Sequence, residues 1–369
     1  MRFRNWLLIA AAAFLGGTGA AHVYEAVRDT DKDNKPAVGA PIDDKEHKLR
    51  EELKVVEPFM TGKERSEYLK ILENGNKEFR ECALEGIKLE VAHRRFTEFT
   101  RNYKEQKKPV DVMPAPPIEY ENLYCVLHNG SKEMGVMSVE HRKFKYLTDI
   151  IGVFDSLTRI GMKRENCTIL YDSRRWEELE SMFNEEQKRE IAEIRKKAEE
   201  IGAIQGTEDK LEETLKKLAE KATKDDLSVI YVTGHDSKTD NGEIGFTAGD
   251  GVITPKEFLE YINKIKGKKY IVLDYCYGAD AGKLFEGRED VLVVCAASPG
   301  EKSTSTVLHS FGRTFFEYAE QMPSGRAFEL AKREHQEIIE KGAGFGAVGH
   351  VETPCMYGSH ALREQRLKK

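Results

Sequence analysis

Two short apolar runs, each followed by a reactive side chain, constrain the fold of this chain most strongly. Residues 227–233 are apolar and β-branched and lead into His235, and residues 269–274 lead in the same way to Cys276. Runs this short and this apolar are typical of strands buried on both faces, as in a parallel sheet. Ligands of open α/β sheets bind where such strands end. The sequence therefore predicts an α/β sheet with His235 and Cys276 at its ligand-binding edge.

A thiol and an imidazole on adjacent strand ends can act as a nucleophile and its base. Cys276 is the candidate nucleophile, and His235 is the candidate general base or acid. The alternatives are a buried structural cysteine and a hydrogen-bonded strand-end histidine, and His128 is a rival base because it also ends a predicted strand. The small residues 277–282 after Cys276 indicate an exposed, flexible turn, which favours a reactive thiol.

Three segments carry a resemblance to a known clan of cysteine peptidases. Residues 231–235 (YVTGH) resemble the histidine block of legumain and of the GPI-anchor transamidase catalytic subunit, and residues 271–278 (IVLDYCYG) resemble the cysteine block of metacaspases and clostripain. Residues 290–301 resemble the next strand and the substrate loop of legumain. The clan also includes caspases and gingipains, and the similarity extends over about residues 121–361.

The resemblance implies a cysteine endopeptidase with a caspase-like, mostly parallel sheet of about six strands flanked by helices. It implies a peptide or protein substrate and no cofactor or metal. The backbone N–H groups of Asp236 and Cys276 would form the oxyanion hole, and Ser298 and Glu301 would lie in the substrate loop. Asp274 matches the aspartate that binds a basic P1 side chain in metacaspases and clostripain. The alternatives are an Asp274 that only braces the loop, and an ordinary polar loop at 298–301.

One position departs from the clan. A glycine follows the catalytic histidine in most members, whereas Asp236 follows His235 here. An aspartate keeps the backbone N–H, but its carboxylate would repel a nearby oxyanion. Two other functions therefore stay open: a transpeptidase or transamidase of the same clan, and a catalytically inactive peptidase fold that acts as a binding module.

The N-terminus reads as a targeting segment. Basic residues precede an apolar stretch that is short for a membrane span, and small residues follow it. We expect an extracytoplasmic protein that is secreted, lumenal or periplasmic, or anchored to the membrane through residues 6–21. The expected organisation is a signal peptide or signal anchor (1–21), a linker (22–44), a charged helical stalk or pro-region (45–106), a Pro-rich linker (107–120), and a peptidase domain (121–369) with an inserted helical pair (176–222).

Charge and cysteine content limit the binding partners and the disulfides that the sequence predicts. The net charge of −6 gives no indication of nucleic-acid binding, and oligomeric state stays open. The acidic segment that begins at Asp29 lacks the glycine and the final glutamate of a calcium loop. The six cysteines predict at most one disulfide, with Cys276 unpaired. The inserted helical pair is most simply a solvated lid or docking arm, or else a coiled-coil interface.

Overall fold

The computed structural model describes residues 65, 66, 69, 92, 95–107, 115–130, 145–172, 185–249, 251–304, 309–344 and 352–367. The chain divides into two compact units. The first unit comprises residues 1–99, 134–141 and 344–347, and its described residues are helical. The second unit comprises 100–133, 142–343 and 348–369 and contains the whole sheet. The predicted signal segment and the linker 22–44 lie outside the described residues. None of the described helices combines the length and apolar character that a membrane crossing requires.

The second unit is built on a seven-stranded sheet of order β10-β9-β8-β4-β1-β2-β3. Its strands are β1 (Leu123–Asn129), β2 (Cys167–Tyr171), β3 (Ile204–Gln205), β4 (Leu227–Thr233), β8 (Lys268–Asp274), β9 (Val291–Cys295) and β10 (Cys355–Gly358). Six strands are parallel, and β10 pairs antiparallel with β9. The predicted mostly parallel sheet is confirmed, with seven strands rather than about six. The extra strand is β3, which is only two residues long.

Helices cover both faces of this sheet. They are α1 (Lys145–Arg159), α2 (Glu185–Glu200), α3 (Glu208–Lys221), α4 (Pro255–Lys264), α5 (Gly278–Gly282), α6 (Phe311–Ala319), α7 (Ser324–Gly344) and α8 (His360–Arg363). Alternate residues of the central strands pack with α3, α4 and α5 in one apolar cluster. The opposite face meets α1 and α6, as the edge contact between Tyr231 and Phe316 shows. Burial of every residue of β1 and β4 follows from this covering and explains their unbroken apolar runs.

The second helix of the predicted insertion, α3, is part of the sheet's covering layer. Helix α3 contributes Leu211, Leu215 and Leu218 to the core cluster, and it connects the edge strand β3 to β4. Thr207, whose residue type favours helix N-caps, caps it by accepting a hydrogen bond from the Lys210 N–H at 3.3 Å. The expectation of a solvated lid or docking arm is therefore wrong for α3, because its apolar stripe is buried against the strands.

A small antiparallel sheet follows His235 directly. It consists of β5 (Asp236–Lys238), β6 (Ile244–Ala248) and β7 (Gly251–Ile253), in the order β5-β6-β7. The Phe246 ring on β6 anchors it to the core through edge and tilted contacts with Phe258 and Tyr275. This sheet fixes the chain that leaves β4, so His235 lies between two regular elements rather than in a free loop.

His128, near the end of β1, lies in a surrounding that disfavours its protonated form. Its ring is fully buried and packs edge-on against Phe246, with ring centroids 5.6 Å apart. Among the described residues, neither of its nitrogens has a hydrogen-bond partner. Burial lowers the pKa of His128 to about 3. A ring buried in this way cannot serve a substrate, which removes His128 as a rival base.

We predict that His128→Leu will flatten the pH dependence of stability on the acid side. The unfolded chain takes up a proton near the ordinary histidine pKa of about 6.5, whereas the folded ring does so only near 3. The stability that the neutral ring contributes is present above pH 6.5 and is lost as the pH falls toward 3. At a pH near 4.5 the variant should lose about 2–3 kcal/mol less than wild type relative to pH 7. Urea unfolding at both pH values measures this, and parallel losses in the two proteins would contradict it.

Candidate functional site

Strand register brings the two candidate catalytic residues to equivalent positions. Strands β4 and β8 are adjacent and parallel, and Thr233 pairs with Asp274 at their carboxyl ends. His235 and Cys276 each lie two residues beyond this pair. Both side chains are partly exposed, unlike the strand residues before them. The sheet therefore presents an imidazole and a thiol at neighbouring strand ends.

The backbone turns sharply after Cys276. Tyr277 has a φ of 61°, and within the described part of the chain it is the one non-glycine residue with a positive φ. Such a conformation costs on the order of 1–3 kcal/mol and is often found at functional sites. The Tyr277 N–H donates to the Glu301 carbonyl at 2.9 Å, which helps to hold the turn. The expected exposed, flexible turn is wrong, because residues 278–282 form the short helix α5 with four of its five residues buried.

The Cys276 thiol lies in a surrounding that opposes ionisation. Burial raises its pKa, and the Asp236 carboxylate adds to this through its charge and a hydrogen bond with the thiol. The Ser303 carbonyl, 3.6 Å from Sγ, and the Lys302 charge act in the opposite direction. The aspartate that replaces the usual glycine thus contacts the candidate nucleophile directly.

Asp236 needs no special backbone angle to occupy its position. It begins β5 and pairs with Phe246, and its φ is not positive. The glycine that the turn requires comes earlier, at Gly234, where φ is 143°. The departure from the clan pattern therefore introduces a negative charge beside the thiol without straining the backbone.

His235 is held by a tyrosine that the sequence did not reveal. The Tyr146 hydroxyl on α1 lies 3.1 Å from Nε2 and 3.3 Å from Nδ1 of His235, and the two rings meet edge to face at 5.3 Å. The Lys145 ammonium in turn lies over the Tyr146 ring, 3.9 Å from its centroid. Tyr146 therefore orients the imidazole from the helix that follows β1.

Asp274 is buried and bonded within the protein. Its Oδ2 accepts hydrogen bonds from the Tyr231 hydroxyl and from the Gly312 N–H in the first turn of α6, both at 3.0 Å. A side chain at Gly312 would collide with the Tyr231 ring and Asp274, so only glycine permits this approach. The other oxygen, Oδ1, is buried and has no hydrogen-bond partner among the described residues. One oxygen of Asp274 thus braces β8 against α6.

A second carboxylate lies close to Asp274. Burial and the charge of Asp274 raise the pKa of Asp149 on α1, to about 6, despite the opposing charges of Lys145 and Arg313. The Arg313 guanidinium is 3.6 Å from Asp149, and the Lys145 ammonium is 3.7 Å away. The chain thus surrounds a buried acidic pair with two of its own cations.

Ser298 and Glu301 lie in the loop after β9, beside the turn that follows Cys276. The Ser298 hydroxyl donates to the Thr353 carbonyl at 2.8 Å. The Glu301 carboxylate accepts from the N–H groups of Ser298 at 3.2 Å and Thr353 at 2.8 Å. Both side chains therefore connect this loop to the segment before β10.

A buried chain of three ionisable side chains continues this bracing. His309 Nε2 lies 2.8 Å from His335 Nδ1, and His335 Nε2 lies 2.9 Å from Glu352 Oε1. The same glutamate oxygen accepts from the Thr304 N–H at 2.6 Å, one residue after the Ser303 carbonyl that contacts Cys276. Burial and the charge of His335 hold the pKa of His309 well below its usual range. This hydrogen-bonded chain thus fixes the loop near the thiol to α7.

A clustered metal site is absent from the described residues. They contain no group of three or more His, Cys, Asp or Glu side chains placed to hold a metal ion. A cleft of about 310 Å³ lies away from Cys276 and His235, between the start of β1, β2 and α3. Its walls carry both signs of charge, with Lys210, Lys217 and Glu213 among them.

The fold and the edge site define a mixed α/β protein with a thiol and an imidazole at adjacent strand ends. It is similar to caspase-1 of Spodoptera frugiperda, with 12% sequence identity, 68% of this chain and 93% of that chain covered, and a TM-score of 0.42. It is also similar to a structural-genomics protein of Geobacter sulfurreducens, with 12% identity, coverage of 67% and 99%, and a TM-score of 0.43. No family model and no curated protein sequence matches the chain.

We predict that Tyr146→Phe will lower the rate of the thiol's reaction with a peptide electrophile roughly tenfold. A hydrogen bond to the imidazole contributes on the order of 1–1.5 kcal/mol, which corresponds to about one power of ten in rate. The phenyl ring keeps the packing, so the melting temperature should stay close to wild type. Inactivation kinetics across pH measure the effect on His235 separately from stability.

The matched control for this variant is Tyr103→Phe. It removes a tyrosine hydroxyl that bonds Glu337, a residue of α7, far along the chain from either strand end. Its inactivation rate should equal wild type. Equal rates for Tyr146→Phe and Tyr103→Phe would show that Tyr146 does not orient His235.

Proposed function

We propose that this chain is an exported cysteine endopeptidase of the caspase and legumain clan, acting through Cys276 and His235. The observation that carries the proposal is the register of β4 and β8, in which Thr233 pairs with Asp274 and a histidine and a cysteine follow at equivalent positions. The strained turn at Tyr277 supports it further, because it directs the chain away immediately after the thiol.

The proposed reaction begins with attack of the Cys276 sulfur on a peptide carbonyl. His235 takes the thiol proton and later gives it to the leaving amine. The backbone N–H groups of Asp236 and Cys276 stabilise the oxyanion, since fixed donors act strongly in a site that excludes water. Water then hydrolyses the thioacyl-enzyme. If an amine replaces water in that step, the same site is a transpeptidase or transamidase.

A specific observation favours the competing function of an inactive binding module. The Asp236 carboxylate lies beside the Cys276 thiol and adds to the burial that raises its pKa. A protein that only binds peptides would tolerate this charge, whereas a peptidase must overcome it. Reactivity of the thiol therefore separates the two functions.

We predict that wild type will be labelled at Cys276 by a peptidyl acyloxymethyl ketone and that Cys276→Ala will be neither labelled nor active on a mixed peptide library. Asp236→Asn should be labelled severalfold faster near neutral pH, because loss of the carboxylate lowers the thiol pKa and yields more thiolate. Intact-mass spectrometry measures both rates.

Asp240→Asn provides the matched control, since it removes an exposed carboxylate from the same hairpin. Its labelling rate should equal wild type. Labelling that persists in Cys276→Ala would overturn the assignment of the nucleophile. A wild type that is folded, unlabelled and inactive would favour the binding module.

We further propose a preference for Arg or Lys at P1. The end of β8 supports it, because Asp274 Oδ1 lies there with no hydrogen-bond partner among the described residues. A carboxylate pairs well with a guanidinium, often through two hydrogen bonds. The competing view is that Asp274 only braces α6, as its bonds to Tyr231 and Gly312 favour.

We predict that wild type will cleave after Arg faster than after Asn or Asp, and that Asp274→Asn will lose roughly tenfold to a hundredfold in kcat/KM on the Arg substrate alone. The reason is the loss of a charge-assisted contact of about 1.5–3 kcal/mol. Tyr231→Phe is the control, because it removes one bond of the brace and keeps the carboxylate. An equal loss on all three substrates, or a wild-type preference for Asn or Asp, rules the proposal out.

A further inference from the structure

Four of the six cysteines are direct partners across strands. Cys295 and Cys355 face each other on the antiparallel strands β9 and β10, and Cys125 and Cys167 face each other on the parallel strands β1 and β2. All four are free thiols, as is Cys276. Residues opposite each other across a sheet project their side chains to the same face. The sheet therefore holds two dithiol pairs apart from the candidate nucleophile.

The register of the Cys295–Cys355 pair is compatible with the Cα separation of a disulfide. Directly opposed residues of antiparallel strands have Cα atoms about 4.5–5.5 Å apart, and disulfides join Cα atoms about 4.4–6.8 Å apart. The two thiols lie close enough for each to shift the pKa of the other. A covalent bond between them would thus join residues that the strand register already places opposite each other.

The two thiols of this pair differ in access and in acidity. Cys295 is fully buried, whereas Cys355 is partly exposed. The hydrogen bond from Cys295 lowers the pKa of Cys355, and contact with the Tyr357 hydroxyl and the charge of Lys332 act in the same direction. Burial raises the pKa of Cys295. Cys355 is thus equipped to react first and Cys295 to react second.

We propose that Cys295 and Cys355 form a redox-active dithiol, which a disulfide oxidant such as glutathione disulfide converts into a cross-strand disulfide. The Cys355 thiolate attacks one sulfur of the oxidant, forming a mixed disulfide and releasing one reduced thiol. Cys295 then attacks the Cys355 sulfur and displaces the second thiol. Two protein thiols lose two electrons and two protons, and one oxidant disulfide becomes two thiols.

The location of the pair gives the bond a structural consequence. Thr353, two residues before Cys355, bonds both Ser298 and Glu301, and the Glu301 carbonyl accepts from the Tyr277 N–H beside Cys276. The Cys355 sulfur itself lies 3.5 Å from the Ala297 carbonyl. A disulfide here would tie β10 to β9 at the base of the loop that contacts the candidate nucleophile.

The second pair, Cys125 and Cys167, is a control within the same protein. Cys125 and Cys167 are both buried, so neither offers a sulfur that an oxidant can reach while the protein stays folded. Burial raises the pKa of Cys125 well above its usual range, and the neighbouring Cys167 thiol adds to this. A brief exposure of folded protein to glutathione disulfide should therefore leave these two thiols reduced.

The test is thiol mapping of the full-length folded protein after incubation with reduced or oxidised glutathione, acid quenching and alkylation. The expected result is a peptide pair joined through Cys295 and Cys355 in the oxidised sample, absent from the reduced one, with Cys125 and Cys167 alkylated in both. Oxidised protein should also unfold at a higher urea concentration. These readouts do not depend on peptidase activity, so an inactive protein leaves the proposal testable.

Two variants test the order of attack. Cys295→Ser should stop at the mixed disulfide and carry glutathione on Cys355. In Cys355→Ser, Cys295 should stay a thiol roughly tenfold longer than it does in wild type. Circular dichroism confirms that each variant is folded, and the wild-type map decides the proposal if either is not. Thiols that stay reduced at 295 and 355 under oxidising conditions, or a bond from either to Cys82, Cys125, Cys167 or Cys276, would overturn it.

Discussion

The pairing of β4 with β8 is the constraint on which the rest of the site depends. Each strand is buried at nearly every position, so its register is set by apolar packing on both faces of the sheet. A slip of one residue would move Asp274 to the opposite face and away from Tyr231 and the first turn of α6. The same slip would separate His235 from Cys276. A core interaction thus determines the position of two polar residues that lie outside it.

Around this strand pair, polar side-chain contacts hold the loops in place. Tyr146 reaches His235 from α1, Glu301 holds the turn after Cys276, and the His309–His335–Glu352 chain ties the neighbouring segment to α7. Each of these contacts joins elements far apart in sequence. Because buried polar groups are costly unless they are paired, such contacts favour one arrangement of the loops over many. The site is therefore preorganised by the helices that cover the sheet.

The sequence was informative where structure follows from local pattern. Apolar runs predicted the strands that lead to His235 and Cys276, and Thr207 was readable as a helix cap. It was uninformative about β3, which is two residues long, and about the hairpin sheet after His235, which is rich in glycine and polar residues. Tyr146 could not be found, because 89 residues separate it from His235 and its segment has no diagnostic pattern. The burial of α5 was hidden for a related reason, since small residues indicate flexible turns and close packing equally well.

The charge beside the thiol bears on how this site would react. In a cysteine peptidase the thiolate either exists before substrate binds, paired with an imidazolium, or forms during attack. Burial and the Asp236 carboxylate both favour the neutral thiol of Cys276. A preformed thiolate is therefore disfavoured, and removal of the proton by His235 during attack becomes the more important contribution. An imidazole that must act at that moment benefits from a fixed orientation, which the Tyr146 hydroxyl provides at 3.1 Å. In the proposed reaction, general-base catalysis by His235 would thus compensate for the Asp236 carboxylate and the burial that oppose ionisation of the Cys276 thiol.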